Sequence, residues 1–172
     1  MVLDSITTLD KLKVFKARFI ITYGAVALPN LLHRIKELQY KTKNIDIEIY
    51  EFLNREKIAE IISRCHILLF PSKLETWGRI VVESLASGTP VIGFDIPGAM
   101  QDVVKPFKCG YVIKPFSYRQ FLKAIINAYI LYKFKLEEYI KLAEKCRRVG
   151  MYYDIETMSR RFVNVLKLCV RR

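Results

Sequence analysis

The strongest constraint in this chain is an alternation. Short β-branched and apolar runs, closed by glycine, proline or polar residues, take turns with longer segments of helical period. Residues 17–24 form the first such run and end at Gly24. Residues 28–42 follow with Leu31, Leu32, Ile35 and Leu38 at helical spacing. Residues 45–50 are the next strand, and Asn54 is placed to cap a helix through Ile58, Ile61 and Ile62 with Lys57 and Glu60 outward. The pattern repeats through a strand at 67–70, a helix at 78–87 closed by Gly88, and a strand at 90–94. A short helix at 100–104 and a strand at 111–113 come next, then helices at 118–132, 136–148 and 155–170.

Strands that are apolar almost throughout are buried on both faces, so the sheet is expected to be parallel with helices on either side. Right-handed crossovers make this a Rossmann-like, three-layer α/β domain covering 1–172. In such sheets ligands collect at the carboxyl ends of the strands. That directs attention to the loops after Gly24, Phe70 and Phe94.

Composition narrows the class. The chain has 172 residues, 52% of them hydrophobic, enough to bury a core. The opening residues, Met1 to Ser5, lack the basic start and apolar stretch of a secretory signal, so a cytoplasmic protein is expected. Cys65, Cys109, Cys146 and Cys169 are far apart and read as buried free thiols; no metal site is expected from them. Twenty-nine basic against 17 acidic residues give a net charge of +12, which attracts a nucleotide diphosphate, an anionic membrane surface or nucleic acid. Peripheral contact with anionic lipid is therefore one option. The segment 118–132 does not serve it, because Phe121, Ile125 and Ile126 suit core packing better. Nucleic acid is not favoured, since no basic-aromatic recognition motif is present. A dinucleotide fold is weaker still, with no G-x-G-x-x-G among the seven glycines.

The richest stretch runs from Pro71 to Glu83. It leaves a strand and enters a helix at Gly78, where the missing side chain lets a ligand approach the backbone. Free N–H groups and aligned peptide dipoles at a helix start suit a diphosphate, and Arg79 adds a positive charge there. Glu75 and Glu83 straddle that start and could accept hydrogen bonds from sugar and ribose hydroxyls. A plainer account has Glu83 pairing with Arg79 one turn earlier and Glu75 as a solvated loop acid.

The order Pro71-Ser72, Glu75, Gly78, Glu83, Ala86, Gly88, Pro90-Val91 resembles the signature of the group 1 (family 4) glycosyltransferases of the GT-B fold. The likeness continues through residues 92–98, the segment 109–113 and a closing helix after Tyr152-Tyr153-Asp154. It implies the C-terminal, donor-binding domain of such an enzyme. By that resemblance Glu75 holds the catalytic position against the donor sugar's hydroxyls, and Glu83 holds the ribose. Trp77, Gly78, Arg79 and Ile80 surround the sugar and diphosphate. Transfer would retain anomeric configuration, use a nucleotide-diphosphate sugar as co-substrate, and need neither metal nor another cofactor.

Three departures accompany the likeness. Thr76-Trp77 replaces a small residue or proline followed by phenylalanine. Pro97-Gly98 replaces a pair of glycines, with the acid expected beyond it standing at Gln101 or, shifted by one, Asp102. The family's first strand-helix unit and its N-terminal acceptor domain have no counterpart in the sequence, residues 9–15 offering at most a basic helix start. The implied function is the donor half of a glycosyltransferase, inactive without an N-terminal partner polypeptide. The alternative is a degenerate nucleotide-sugar-binding or scaffold module.

Overall fold

The computed structural model describes residues 1–13, 16–23 and 29–170, which fall into two compact units, Met1–Ile58 and Ala59–Arg172.

The first unit contains α1 (Val2–Lys11), β1 (Ala17–Tyr23), α2 (Pro29–Lys41), β2 (Ile45–Glu51) and the start of α3 (Arg55–Ser63). Strands β1 and β2 pair in parallel from Ala17 opposite Ile45 to Tyr23 opposite Glu51. The core side chains are Leu3, Ile6 and Leu9 of α1, Ile35 of α2, and Ile45 and Ile47 of β2. Helix α1 was not anticipated from the sequence. It leans on β2 through Asp10, whose carboxylate accepts the backbone N–H groups of Lys43, Asn44 and Ile45 at 3.0, 2.7 and 3.2 Å. That carboxylate saturates the turn where β2 begins. Asn54 caps α3 as expected, its side-chain oxygen accepting the Lys57 N–H at 2.9 Å. Gly24 and Leu28, expected at the end of the first strand and the start of the next helix, lie outside the described residues.

The second unit holds the parallel sheet β3-β4-β5: β3 (Leu68–Phe70), β4 (Val91–Phe94) and β5 (Gly110–Ile113). Between them lie α4 (Arg79–Ala86), a π-helical turn at Met100–Val104 and the single turn α5 (Lys105–Phe107). Helices α6 (Tyr118–Phe134), α7 (Leu136–Met151) and α8 (Ile155–Val170) complete it. Every residue of the central strand β4 is buried, the both-faces burial its apolar sequence predicts. Helix α6 packs on β4 and β5, and α7 packs on α4.

Helix α4 ends as its sequence requires. Gly88 takes the left-handed conformation (φ 81°), its N–H donates to Leu85 O at 2.8 Å, and the Thr89 N–H donates to Ser84 O at 2.9 Å. These two bonds are the Schellman closure, which satisfies carbonyls that a helix end otherwise orphans. The thiols divide: Cys109 and Cys146 are buried, Cys65 is half-buried, and Cys169 is exposed, so burial holds for two of the four. No described helix is long and apolar enough to cross a membrane.

Candidate functional site

The loop from β3 to α4 is organised from within. The Ser72 hydroxyl donates to Glu75 Oε1 at 2.7 Å, and Glu75 is half-buried. Two residues on, Trp77 keeps 37% of its surface exposed, with its ring centroid 6.2 Å from that of Tyr153. The indole is thus a partly open wall rather than a core side chain.

Gly78 takes the position preceding the helix with φ 85° and ψ 56°. An added Cβ would stand 3.4 Å from the Phe70 ring, which the space tolerates; the left-handed backbone is what selects glycine. No side chain caps α4, so the N–H groups of Arg79 and Ile80 meet no protein acceptor among the described residues. A helix start in that state is a ready anion site, and Arg79, its first residue, is exposed. Val81, Val82, Ser84 and Leu85 are buried, whereas Arg79 and Glu83, one turn apart, both lie on the exposed side of α4.

The loop after β4 joins this one. The Ala99 N–H donates to Trp77 O at 2.7 Å. Gly98 has φ 101°, and a Cβ there would sit 2.7 Å from the same carbonyl oxygen. Asp95, at the end of β4, accepts from Lys105 Nζ at 2.7 Å and Gln101 Nε2 at 3.0 Å. Those hydrogen bonds, from Lys105 first, hold its carboxyl below the usual carboxylate range. Gln101 is therefore a brace for Asp95, and Asp102 is exposed on the π-helical turn.

The structure therefore gathers Glu75, Trp77, Gly78, Arg79 and Ile80 at the carboxyl ends of β3 and β4, with Glu83 a turn farther along α4. Sequence reasoning gave no role to Ser72, to the Trp77–Ala99 link, or to the Asp95–Lys105 brace. A Ser three residues before Glu is a local signal for the first; the other two join positions 22 and 10 residues apart and leave no periodic trace. A pocket of about 320 Å³ opens elsewhere, around the amino ends of β3 and β4, beside His66, Thr89, Tyr139 and Arg147. None of the expected site residues lines it.

The sequence matches the family profile described as "Glycosyl transferases group 1" over residues 5–148. The chain belongs to the group 1 glycosyltransferases. The match runs from within α1 through most of α7 and leaves α8 outside. Among structures of known glycosyltransferases, one from Rickettsia africae superposes with a TM-score of 0.76 at 21% identity, over 99% of this chain and 44% of that one. The pneumococcal O-GlcNAc transferase GtfA, in complex with UDP and GlcNAc, gives 0.71 at 18%, over 99% and 33%. WaaG, a glycosyltransferase involved in lipopolysaccharide biosynthesis, gives 0.73 at 18%, over 95% and 42%. The chain thus spans less than half the length of each. In sequence, 57 residues are 33% identical to the UDP-N-acetylglucosamine–peptide N-acetylglucosaminyltransferase GtfA subunit of Streptococcus pneumoniae, covering 33% of this chain and 11% of that protein. These neighbours confirm the mixed α/β architecture with parallel sheets and the likeness to the C-terminal half of a GT-B glycosyltransferase.

Proposed function

We propose that this group 1 glycosyltransferase chain binds the nucleotide-diphosphate sugar donor of a retaining, metal-independent glycosyl transfer. One observation carries the reading: α4 starts uncapped, at a left-handed Gly78, at the carboxyl end of β3. The diphosphate rests against the N–H groups of Arg79 and Ile80, with the Arg79 guanidinium and the helix dipole supplying positive field. Glu75, braced by Ser72, meets the sugar hydroxyls as the catalytic-position residue. Trp77 walls the sugar, and Glu83 accepts from the ribose hydroxyls.

The bond from the anomeric carbon to the diphosphate oxygen breaks, its electron pair staying on the diphosphate. The acceptor oxygen bonds to the same face of the sugar as its proton passes to the leaving diphosphate oxygen. Charge develops on the leaving diphosphate, so electrostatic stabilisation at the helix start is the chain's main catalytic contribution. GtfA, by its name, uses UDP-N-acetylglucosamine, which makes UDP-sugars the first donors to try. The acceptor side belongs to an N-terminal polypeptide of the kind that the longer relatives have room for. Without it the two reactants are not held together, and the chain alone is expected to turn over little or nothing.

A panel of UDP-, GDP- and ADP-sugars read by thermal unfolding tests this. A cognate donor at about a hundred times its Kd should raise the melting temperature by roughly 5–10 °C. Glu83→Ala should abolish that rise while moving the unliganded melting temperature by no more than about 4 °C, because an exposed side chain contributes little through its surface contacts. A retained rise removes Glu83 from the site. No rise with any donor favours a degenerate scaffold module instead.

A further inference from the structure

Two of the four cysteines meet inside the second unit. Cys109 stands just before β5 and Cys146 lies in α7, 37 positions apart in sequence, and both are fully buried. The Cys146 thiol donates to Cys109 O at 3.6 Å, and the two thiols also hydrogen-bond each other. Either cysteine alone would pass for a small core residue. Side by side they can do what neither does singly, which is to give up two hydrogens and join their sulfurs.

The backbone holds Cys109 at both of its polar groups. Its N–H donates to Val104 O at 3.0 Å, and its carbonyl accepts the Val91 N–H at 3.2 Å. Its thiol donates to Phe107 O at 3.7 Å. A Cβ on the next residue, Gly110, would stand 1.9 Å from Val91 O, so β5 starts hard against β4. Cys146 is fixed from the other side, one turn before Gly150, whose missing side chain lets α7 close on Ala86. The fold thus brings the sulfurs together before any oxidant arrives, and little chain entropy remains to be lost on joining them.

The two thiols are unequal. The hydrogen bond from Cys146, helped by the Lys145 charge, draws the Cys109 thiol below its ordinary pKa against the effect of burial. The hydrogen bond to Cys109, together with burial, pushes the Cys146 thiol up. Because the thiolate is the nucleophile, Cys109 is the attacking sulfur and Cys146 the resolving one. The pocket beside His66 has Ala143 and Arg147 in its wall, on either side of Cys146 along α7, and offers a small oxidant its approach to the pair.

We propose that Cys109 and Cys146 form a redox-sensitive lock, closing to a disulfide with hydrogen peroxide as the oxidant. The Cys109 thiolate attacks one peroxide oxygen, the O–O bond breaks, and the departing hydroxide takes up the thiol's proton as water. Cys109 is then a sulfenic acid. The Cys146 sulfur attacks it, the S–O bond breaks, and a second water leaves with the Cys146 proton. Two thiols are oxidised and one peroxide is reduced to two waters. The new bond ties the start of β5 to α7, the helix packed on α4. The inference does not rest on donor binding.

Peroxide treatment of the full chain, followed by alkylation and peptide mapping, tests it. The parent chain is compared with a Cys65→Ser, Cys169→Ser variant, which lacks the half-buried and the exposed thiol. Both should show Cys109 and Cys146 in one cross-linked peptide pair, and the variant should lose about 2 Da, reversed by dithiothreitol. Closing a loop of this length should raise the melting temperature by roughly 10 °C over the reduced chain. Cys146→Ala should leave Cys109 as sulfenic or sulfinic acid, a gain of mass in place of a loss. Failure to cross-link in the folded state, under peroxide that oxidises Cys169 in the parent chain, overturns the proposal. So does a cross-link that appears only in denaturant, one that joins other cysteines in its place, or a melting temperature that does not rise on oxidation.

Discussion

Replacing Gly150 with alanine is expected to cost about 4 kcal/mol or more, in the exceptional range for one substitution. Gly150 is buried in α7 where that helix crosses α4. A Cβ there would lie 2.1 Å from the Ala86 nitrogen, 2.5 Å from Ala86 Cα and 2.6 Å from the Leu85 carbonyl carbon. All three are helix backbone, which cannot swing aside as a side-chain tip can. The two helices must part, and each exposes apolar surface when they do. Denaturant unfolding checks the result through a large drop in the midpoint. A midpoint equal to that of the parent chain would mean that α4 and α7 do not approach so closely. The loss bears on function, because α7 packs against α4, and α4 supplies the candidate donor site.

Gly98→Ala is the second large effect, and it acts on the site. The substitution forces a residue with a side chain into φ 101° and sets its Cβ 2.7 Å from Trp77 O. That carbonyl already accepts the Ala99 N–H at 2.7 Å, so the clash breaks a backbone bond that ties the loop after β4 to the loop before α4. Strain of this kind costs about 1–3 kcal/mol, and the lost bond adds to it. Trp77 should shift away from Tyr153, which changes the fluorescence of the chain's single tryptophan. Any donor-induced stabilisation should fall with it. Pro97→Ala, at an exposed neighbour, is the control and should leave both readouts in place. An unchanged tryptophan signal in Gly98→Ala would break the link between the two loops.

Much of this was legible in the chain because it is written locally. The Asn54 cap, the Gly88 closure and the apolar run of β4 each depend on residues within one turn or one strand of each other. Gly78 was legible for the same reason, and its left-handed backbone gives the expected glycine a cause. What stayed hidden depends on distance along the chain. Helix α1 has a short stripe, Leu3, Ile6 and Leu9, and no side-chain cap to announce it. Its purpose shows only when Asp10 meets residues 33 to 35 positions away. The expected helix at 136–148 runs on to Met151, because Gly150 serves close packing against Ala86 rather than helix termination. Burial of Cys109 and Cys146 but not Cys169 has the same origin, since a thiol's surroundings are set by tertiary packing.

The most direct test of donor binding follows backbone amides of the isotope-labelled chain by NMR while a UDP-sugar is added. The Gly78, Arg79 and Ile80 amide signals should move first and furthest, saturating with a single affinity, while those around His66 and Thr89 stay in place. If those three signals hold still while signals elsewhere move, the diphosphate does not sit at the start of α4 and the proposed function is wrong.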